Sequence, residues 1–262
     1  MSLKKRNIVY KTDELINYFK DNRRKWSQFY PSEKWILEKA AGVKGGMGSV
    51  LDIGCAAGGL GAALEQRFSV KEYVGVDINS QAIDYARSNK MKYPHRSRFI
   101  CGDILKVNAV GGKKFDNVFS LSCADWNVAT EDIVRECWRH VSPGGNFILT
   151  LRLTSSRSLL DMSGSFQYIH YGDGPLGKVS RYEKAPYIVL NFGDAMAMLS
   201  GLSPRPARIT AYGYWGPPSK TARTKYKRLV FAALAVSKSA GTEKYTAGEF
   251  HLPADLYFKS GK

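Results

Sequence analysis

The residues best able to do chemistry in this 262-residue chain sit in one stretch and one aspartate. The stretch is Val50-Leu51-Asp52-Ile53-Gly54-Cys55-Ala56-Ala57-Gly58-Gly59-Leu60-Gly61. Val50 to Ile53 is apolar and branched, as a buried strand requires, and glycines follow at once. Ala62 to Phe68 has helical composition. The glycines therefore lie in a strand-to-helix turn, where missing side chains let a ligand rest on backbone N–H groups. A second apolar run, Tyr73-Val74-Gly75-Val76, ends in Asp77, 23 residues after Gly54. At that separation a β-α-β unit presents a carboxylate to ribose hydroxyls. A turn that accepts a ligand beside an acid that accepts hydroxyl protons describes a nucleoside site.

The glycine spacing distinguishes among nucleoside cofactors. A dinucleotide turn has the form Gly-x-Gly-x-x-Gly, whereas here the order is Gly54, Gly58, Gly59, Gly61 with Ala56 between. Asp52-x-Gly54-x-Ala56-x-Gly58 resembles the first motif of class I S-adenosylmethionine-dependent methyltransferases, with Ala56 replacing a glycine. The resemblance extends from about Leu51 to Arg152. Gly102-Asp103 is similar to the element that contacts adenine, and Ser142-Pro143-Gly144-Gly145 is similar to the turn before the fifth strand. It implies S-adenosyl-L-methionine as cofactor, held by Asp52, Gly54, Cys55, Ala56, Gly58, Asp77, Ile78, Gly102, Asp103, Ile104 and Ser122. It also implies that Asp125, just past the fourth strand, faces the acceptor.

The elements that must position these residues alternate strand and helix. Strands are expected at 50–53, 73–76, 98–101, 115–121 and 146–151, with helices between them and a helix N-capped by Thr130. The fold class is therefore α/β: a Rossmann-like, doubly wound, mostly parallel sheet. The resemblance implies seven strands, the last antiparallel, from a hairpin formed by 209–215 and 229–236. Residues 1–48 read as a helical segment covering the cofactor end, including basic clusters at Lys4-Lys5-Arg6 and Arg23-Arg24-Lys25. The methyltransferase domain is expected over 49–238, with an aromatic insertion or lid at 154–190, and 239–262 as a tail packed on it.

Composition bounds the function. Apolar residues make up 44% and charged residues 24%, as in soluble globular proteins. No apolar run approaches a membrane span and no signal-peptide pattern opens the chain. The four cysteines lack metal-ligand or redox spacing, which fits a reducing cytoplasm and no metal. A net charge of +16 points to nucleic acid, an anionic membrane surface or anionic small substrates. Lys220, Arg223, Lys225, Lys227 and Arg228 concentrate it between the two hairpin strands, among Tyr214, Trp215 and Tyr226.

Candidate bases for an oxygen acceptor are Asp125 and His170, the latter in the aromatic insertion. Neither Asn-Pro-Pro-Tyr nor Asp-Pro-Pro-Tyr follows strand four, so the family pattern for exocyclic amines of bases is missing. The expected reaction is methyl transfer to a small anionic acceptor at oxygen, such as a sugar, nucleotide sugar or aromatic metabolite. RNA held by the basic surface, or an inactive cofactor-binding module, are the alternatives.

Overall fold

The computed structural model describes residues 14–42, 45–89, 96–106, 110–170, 183–241 and 244–257. Lys4-Lys5-Arg6, His95, Tyr171, Tyr182 and Phe258 lie outside these residues. The chain begins with a short helix α1 (Glu14–Asp21), a 3-10 turn at Trp26–Gln28 and helix α2 (Pro31–Ala41). Strand β1 (Gly46–Ile53), helix α3 (Gly59–Glu65), β2 (Ser69–Asp77), α4 (Ser80–Ser88) and β3 (Ser97–Cys101) form the first half of the sheet. Then come β4 (Phe115–Ser120), α5 (Thr130–Arg139) and the long β5 (Val141–Thr154). The remaining elements are β6 (Ser165–Tyr168), β7 (Lys184–Pro186), β8 (Leu190–Asn191), α6 (Phe192–Ser200), β9 (Arg208–Gly216), β10 (Ala222–Thr224), β11 (Leu229–Ser237) and β12 (Ala247–His251).

The main sheet has the order β12-β9-β11-β5-β4-β1-β2-β3, with β8 added alongside β5. Strands β1 to β5 pair in parallel, and β11 runs antiparallel to both β5 and β9. The seven expected strands are all present, and the described residues add two. Tail residues 247–251 do more than pack: they pair in parallel with β9 as an edge strand. Chain order reverses between β1 and β4, which opens a crevice at the strand carboxyl ends, where ligands bind in such sheets.

Side-chain alternation builds a core on each face of the sheet. Leu51, Ile53, Val118, Phe147 and Leu149 point to one side and meet Ile133, Val134, Cys137 and Trp138 of α5. Val50, Phe119 and Ile148 point to the other and meet Ile36 and Leu37 of α2, and Leu60 and Leu64 of α3. Helix α5 follows from apolar residues at positions 133, 134, 137 and 138, which fall on one face. Its cap differs from expectation. Ala129 is the N-cap, and Thr130 instead turns its hydroxyl to the carbonyls of Asn127 at 2.6 Å and Ala124 at 3.0 Å.

Strand limits differ where tertiary pairing extends short apolar runs. β1 begins at Gly46, within the glycine-rich stretch before Val50, because residues 46–49 pair with Ser69, Val70 and Glu72 of β2 through a shifted register. β5 begins at Val141 and absorbs the Ser-Pro-Gly-Gly turn through a register shift against β4. No helix among the described residues is long and apolar enough to cross a membrane.

The insertion after β5 is not structureless. β6 pairs antiparallel with both β7 and β10, forming a separate three-stranded sheet. β10 belongs to the connection between β9 and β11, so the insertion and that connection are stitched into one small roof.

Trp138 anchors the α5 face. It is buried, and its indole N–H donates to the Pro204 carbonyl at 2.8 Å. Trp138→Ala is expected to destabilise the fold by about 3–5 kcal/mol, read as a lowered urea midpoint with an unchanged slope.

Candidate active site

At the carboxyl end of β1 the backbone turns sharply. Gly54 and Cys55 both donate their N–H to the Val76 carbonyl, at 2.8 and 3.2 Å, tying the turn to β2. Gly54 has φ of +75°, and a Cβ there would lie 2.5 Å from the Cys123 sulfur. Only glycine lets the loop after β4 approach so closely. Ala56, the residue in place of a motif glycine, is also left-handed at φ +46°. It holds that conformation while donating its N–H to Asp77 Oδ2 at 2.8 Å. Gly58 caps the start of α3. At Gly59 a Cβ would sit 2.4 Å from the Arg23 carbonyl, so the N-terminal segment crosses the start of that helix in direct contact.

Asp77 closes β2 with both oxygens engaged, Oδ2 by Ala56 and Oδ1 by the Asn79 N–H at 2.8 Å. Desolvation raises its pKa, and these N–H groups oppose the rise. Asp52 is buried behind it and accepts the Tyr73 hydroxyl at 2.5 Å. Burial pushes the Asp52 carboxyl up to about 7, against the Tyr73 hydrogen bond and with the help of the Asp77 charge. Asp103, after β3, accepts the Leu105 N–H at 3.0 Å and pairs with Lys106 at 3.2 Å.

A cavity of about 880 Å³ runs over these strand ends. Of the residues expected to hold a cofactor, Asp52, Gly54, Cys55, Ala56, Asp77, Ile78, Gly102, Asp103, Ile104 and Ser122 line it, while Gly58 does not. Tyr18, Phe19 and Asn22 of the N-terminal segment close one side. Arg23 joins them, fixed by an ion pair to buried Glu33 at 2.7 Å and seated 4.7 Å over the Phe29 ring. Cys55 and Cys123 are in the wall, their thiols pushed up by burial, and Cys101 is exposed. Among the described residues no cluster of His, Cys, Asp or Glu is arranged to hold a metal ion.

The other end of the cavity is built by the small sheet and two loops. His170 and Gln167 line it from β6 and just beyond, Trp126 and Asn127 from the loop after β4, and Ser219, Lys220 and Thr221 from the β9–β11 connection. β9 runs parallel to β1, so this connection emerges at the same end as Asp77.

The two candidate bases part company here. His170 lines the cavity, and Asp125 does not. Asp125 is buried in the wall, its Oδ2 3.3 Å from Arg152 Nη1, which also donates to its carbonyl at 2.7 Å. Desolvation raises its pKa, and the Arg152 charge pulls against that rise. Arg152 is itself held between the rings of Tyr187, at 3.7 Å, and Trp126, at 4.7 Å. The basic cluster divides too. Lys220 reaches the cavity, Arg228 pairs with Asp255 at 2.7 Å, and Arg223 covers the Tyr168 ring at 5.5 Å on the outside of the small sheet.

Sequence reasoning gave no site role to Arg23 or Gln167. Arg23 reads as one of a surface cluster, and nothing local shows its burial against Glu33. Gln167 lies between Phe166 and Tyr168 in a four-residue strand, too short for the sequence to say which face looks inward.

Residues 50–145 match a family model described as a methyltransferase domain. Among curated proteins, 123 residues are 27% identical to 24-methylenesterol C-methyltransferase 2 of Oryza sativa, covering 46% of this chain and 33% of that protein. Over 96 residues the chain is 31% identical to trans-aconitate 2-methyltransferase of Deinococcus radiodurans, covering 37% of this chain and 34% of that protein. The chain thus spans about a third of the length of these curated relatives. Among solved structures, the YcgJ protein of Bacillus subtilis superposes with a TM-score of 0.52 at 14% identity, over 80% of this chain and 99% of that one. Together with the strand order and the glycine turn facing Asp77, the match identifies residues 50–145 as a methyltransferase domain of Rossmann-like fold.

Proposed function

We propose that this chain transfers the methyl group of S-adenosylmethionine to a small anionic acceptor, at oxygen. One observation carries the reading. The cavity has carboxylates at one end, from Asp52, Asp77 and Asp103, and the cation of Lys220 with neutral polar groups at the other. The carboxylate end suits a nucleoside carrying a cationic amino-acid arm. Each Asp77 oxygen accepts one backbone N–H and retains lone pairs for the two ribose hydroxyls. In this reading Asp103 accepts from the exocyclic amine. The volume, about 880 Å³, suits a cofactor and a small second ligand together.

When bound, the cofactor supplies the electrophile, a methyl on cationic sulfur. The chain's own task is to hold the acceptor oxygen in line and to take its proton. His170 is the base in this proposal, because it lines the acceptor end. Asp125 serves instead as the counter-ion that holds Arg152 under Trp126, a wall residue.

Asp77→Ala should lose about 1.5–3 kcal/mol of S-adenosylhomocysteine binding in calorimetry, as expected for charged hydrogen bonds. Absence of heat with the wild type at millimolar ligand would sink the proposal. His170→Ala should lower turnover by about a hundredfold while S-adenosylhomocysteine affinity stays put. Unchanged turnover would mean that alignment alone suffices.

Asp52 gives a pH signature. With its carboxyl near 7 in the fold and about 4 in the unfolded chain, the free protein holds an extra proton between those values. Stability relative to Asp52→Asn should therefore fall as pH rises through that window and stay level below it. Parallel melting curves for the two proteins across the range would return Asp52 to an ordinary carboxyl.

A further inference from the structure

The acceptor end has a chemistry of its own, set by the inner face of the small sheet. In its register Gln167 stands opposite Ala185 on β7 and Ala222 on β10. Two methyl groups flank the amide and neither can pair with it. Gln167 is 5% exposed and lines the cavity, yet its Oε1 meets no donor among the described residues. A buried, unpaired amide oxygen is destabilising, and leucine would fill the same place without that penalty. A polar group kept there suits a ligand that brings its own donor.

The neighbouring loop is fixed rather than draped. Ser219 donates its N–H to the Tyr187 hydroxyl at 3.3 Å, and its carbonyl accepts the Ala222 N–H at 2.8 Å. The Thr221 carbonyl accepts the Tyr168 N–H at 3.1 Å. Lys220 is therefore presented from a pinned segment, and no ion pair engages it among the described residues. The carboxylates lining the cavity all come from β1, β2 and the loop after β3. Trp126 adds a flat apolar wall, and Asn127 a further amide.

We infer that the acceptor is an anionic sugar, one bearing a phosphate or a carboxylate, whose hydroxyls are read by Gln167 while Lys220 holds the charge. This inference rests on the methyltransferase reading of the same cavity and narrows its acceptor. A sugar offers several O–H donors to an amide and an apolar C–H face to a tryptophan. An aromatic hydroxy acid offers a ring and a single donor, whose proton goes to the base, so Gln167 is left unpaired. A site built around a buried hydrogen-bonding group discriminates strongly against ligands that leave it empty.

The test uses the full chain saturated with S-adenosylhomocysteine, titrated in a calorimeter with glucose 1-phosphate, glucuronate, glucose and 4-hydroxybenzoate. At least one sugar anion should bind about tenfold or more tighter than glucose and than 4-hydroxybenzoate. The preferred anion tells phosphate from carboxylate. Gln167→Leu should weaken that sugar anion about tenfold or more and leave S-adenosylhomocysteine affinity within about twofold. The same variant should melt about 4 °C higher, because the unpaired oxygen is gone, which no purely structural role for Gln167 would produce. Lys220→Met should remove most of the preference for the anion over glucose. Gln167→Glu, a second route to the same residue, should repel the anions while sparing glucose. Tighter binding of 4-hydroxybenzoate than of either sugar anion, or wild-type sugar binding by both Gln167 variants, would overturn the inference and leave methyl transfer standing. Failure of the wild type to bind S-adenosylhomocysteine would remove both.

Discussion

The structure depends on how one carboxylate is kept in place at the end of a parallel strand. Asp77 accepts one backbone N–H from the turn after β1 and one from the turn after β2. A charge at a sheet edge, partly withdrawn from water, is tolerable only when such donors face it. Those donors dictate the local fold. Ala56 must be left-handed to deliver its N–H, at about 1–2 kcal/mol for a residue with a Cβ. Gly54 must lack a side chain so that Cys123 can seal the turn from β4. The start of α3 is set in turn, and the N-terminal segment crosses it at Gly59. A single anionic group thus orders the ends of three strands and the position of a covering segment.

A second buried charge does similar work at the other end. Arg152, on β5, has Asp125 as counter-ion and lies between the Trp126 and Tyr187 rings. Such a pair adds little net stability, since desolvation offsets most of the attraction, but removing one partner alone is severe. Its contribution is geometric. It joins the loop after β4 to residues 187 and 188, and through the Tyr187 hydroxyl it meets the segment that carries Lys220. This wall of the cavity is therefore assembled from elements far apart in sequence that share one guanidinium.

The sequence makes the Asp77 end of the cavity legible and the Gln167 end much less so, and the difference is physical. Asp52, Gly54, Ala56 and Asp77 lie within one β-α-β unit, where spacing along the chain determines spacing in three dimensions. The antiparallel β11 is implied by the family resemblance and not by any spacing within that unit. Asp125 illustrates the limit. Its place after β4 suggests an acceptor-facing acid, but only the fold reveals Arg152 behind it. The basic cluster is a like case, since alternation, loop closure and the partner Asp255 send its members to different surfaces. β6, β7 and β10 are too short to carry a period, and each becomes a strand only through its pairing partners. Gln167 is the residue most hidden by this, because its meaning depends on which face of a four-residue strand looks inward.

The stitching of β10 to β6 has a further consequence for how the molecule comes together. Asp77 is brought to the glycine turn by the pairing of β1 with β2, which neighbour one another along the chain. The roof over the other end joins Ser165 to Thr224, across three other strands and a helix. Closing so long a loop carries an entropic penalty that local pairing does not. β10 also has no fixed position until β9 is docked on β11. In the order of assembly the roof therefore belongs at the end. Substitutions there act on contacts formed late, so they weigh on the rate of unfolding far more than on the rate of folding.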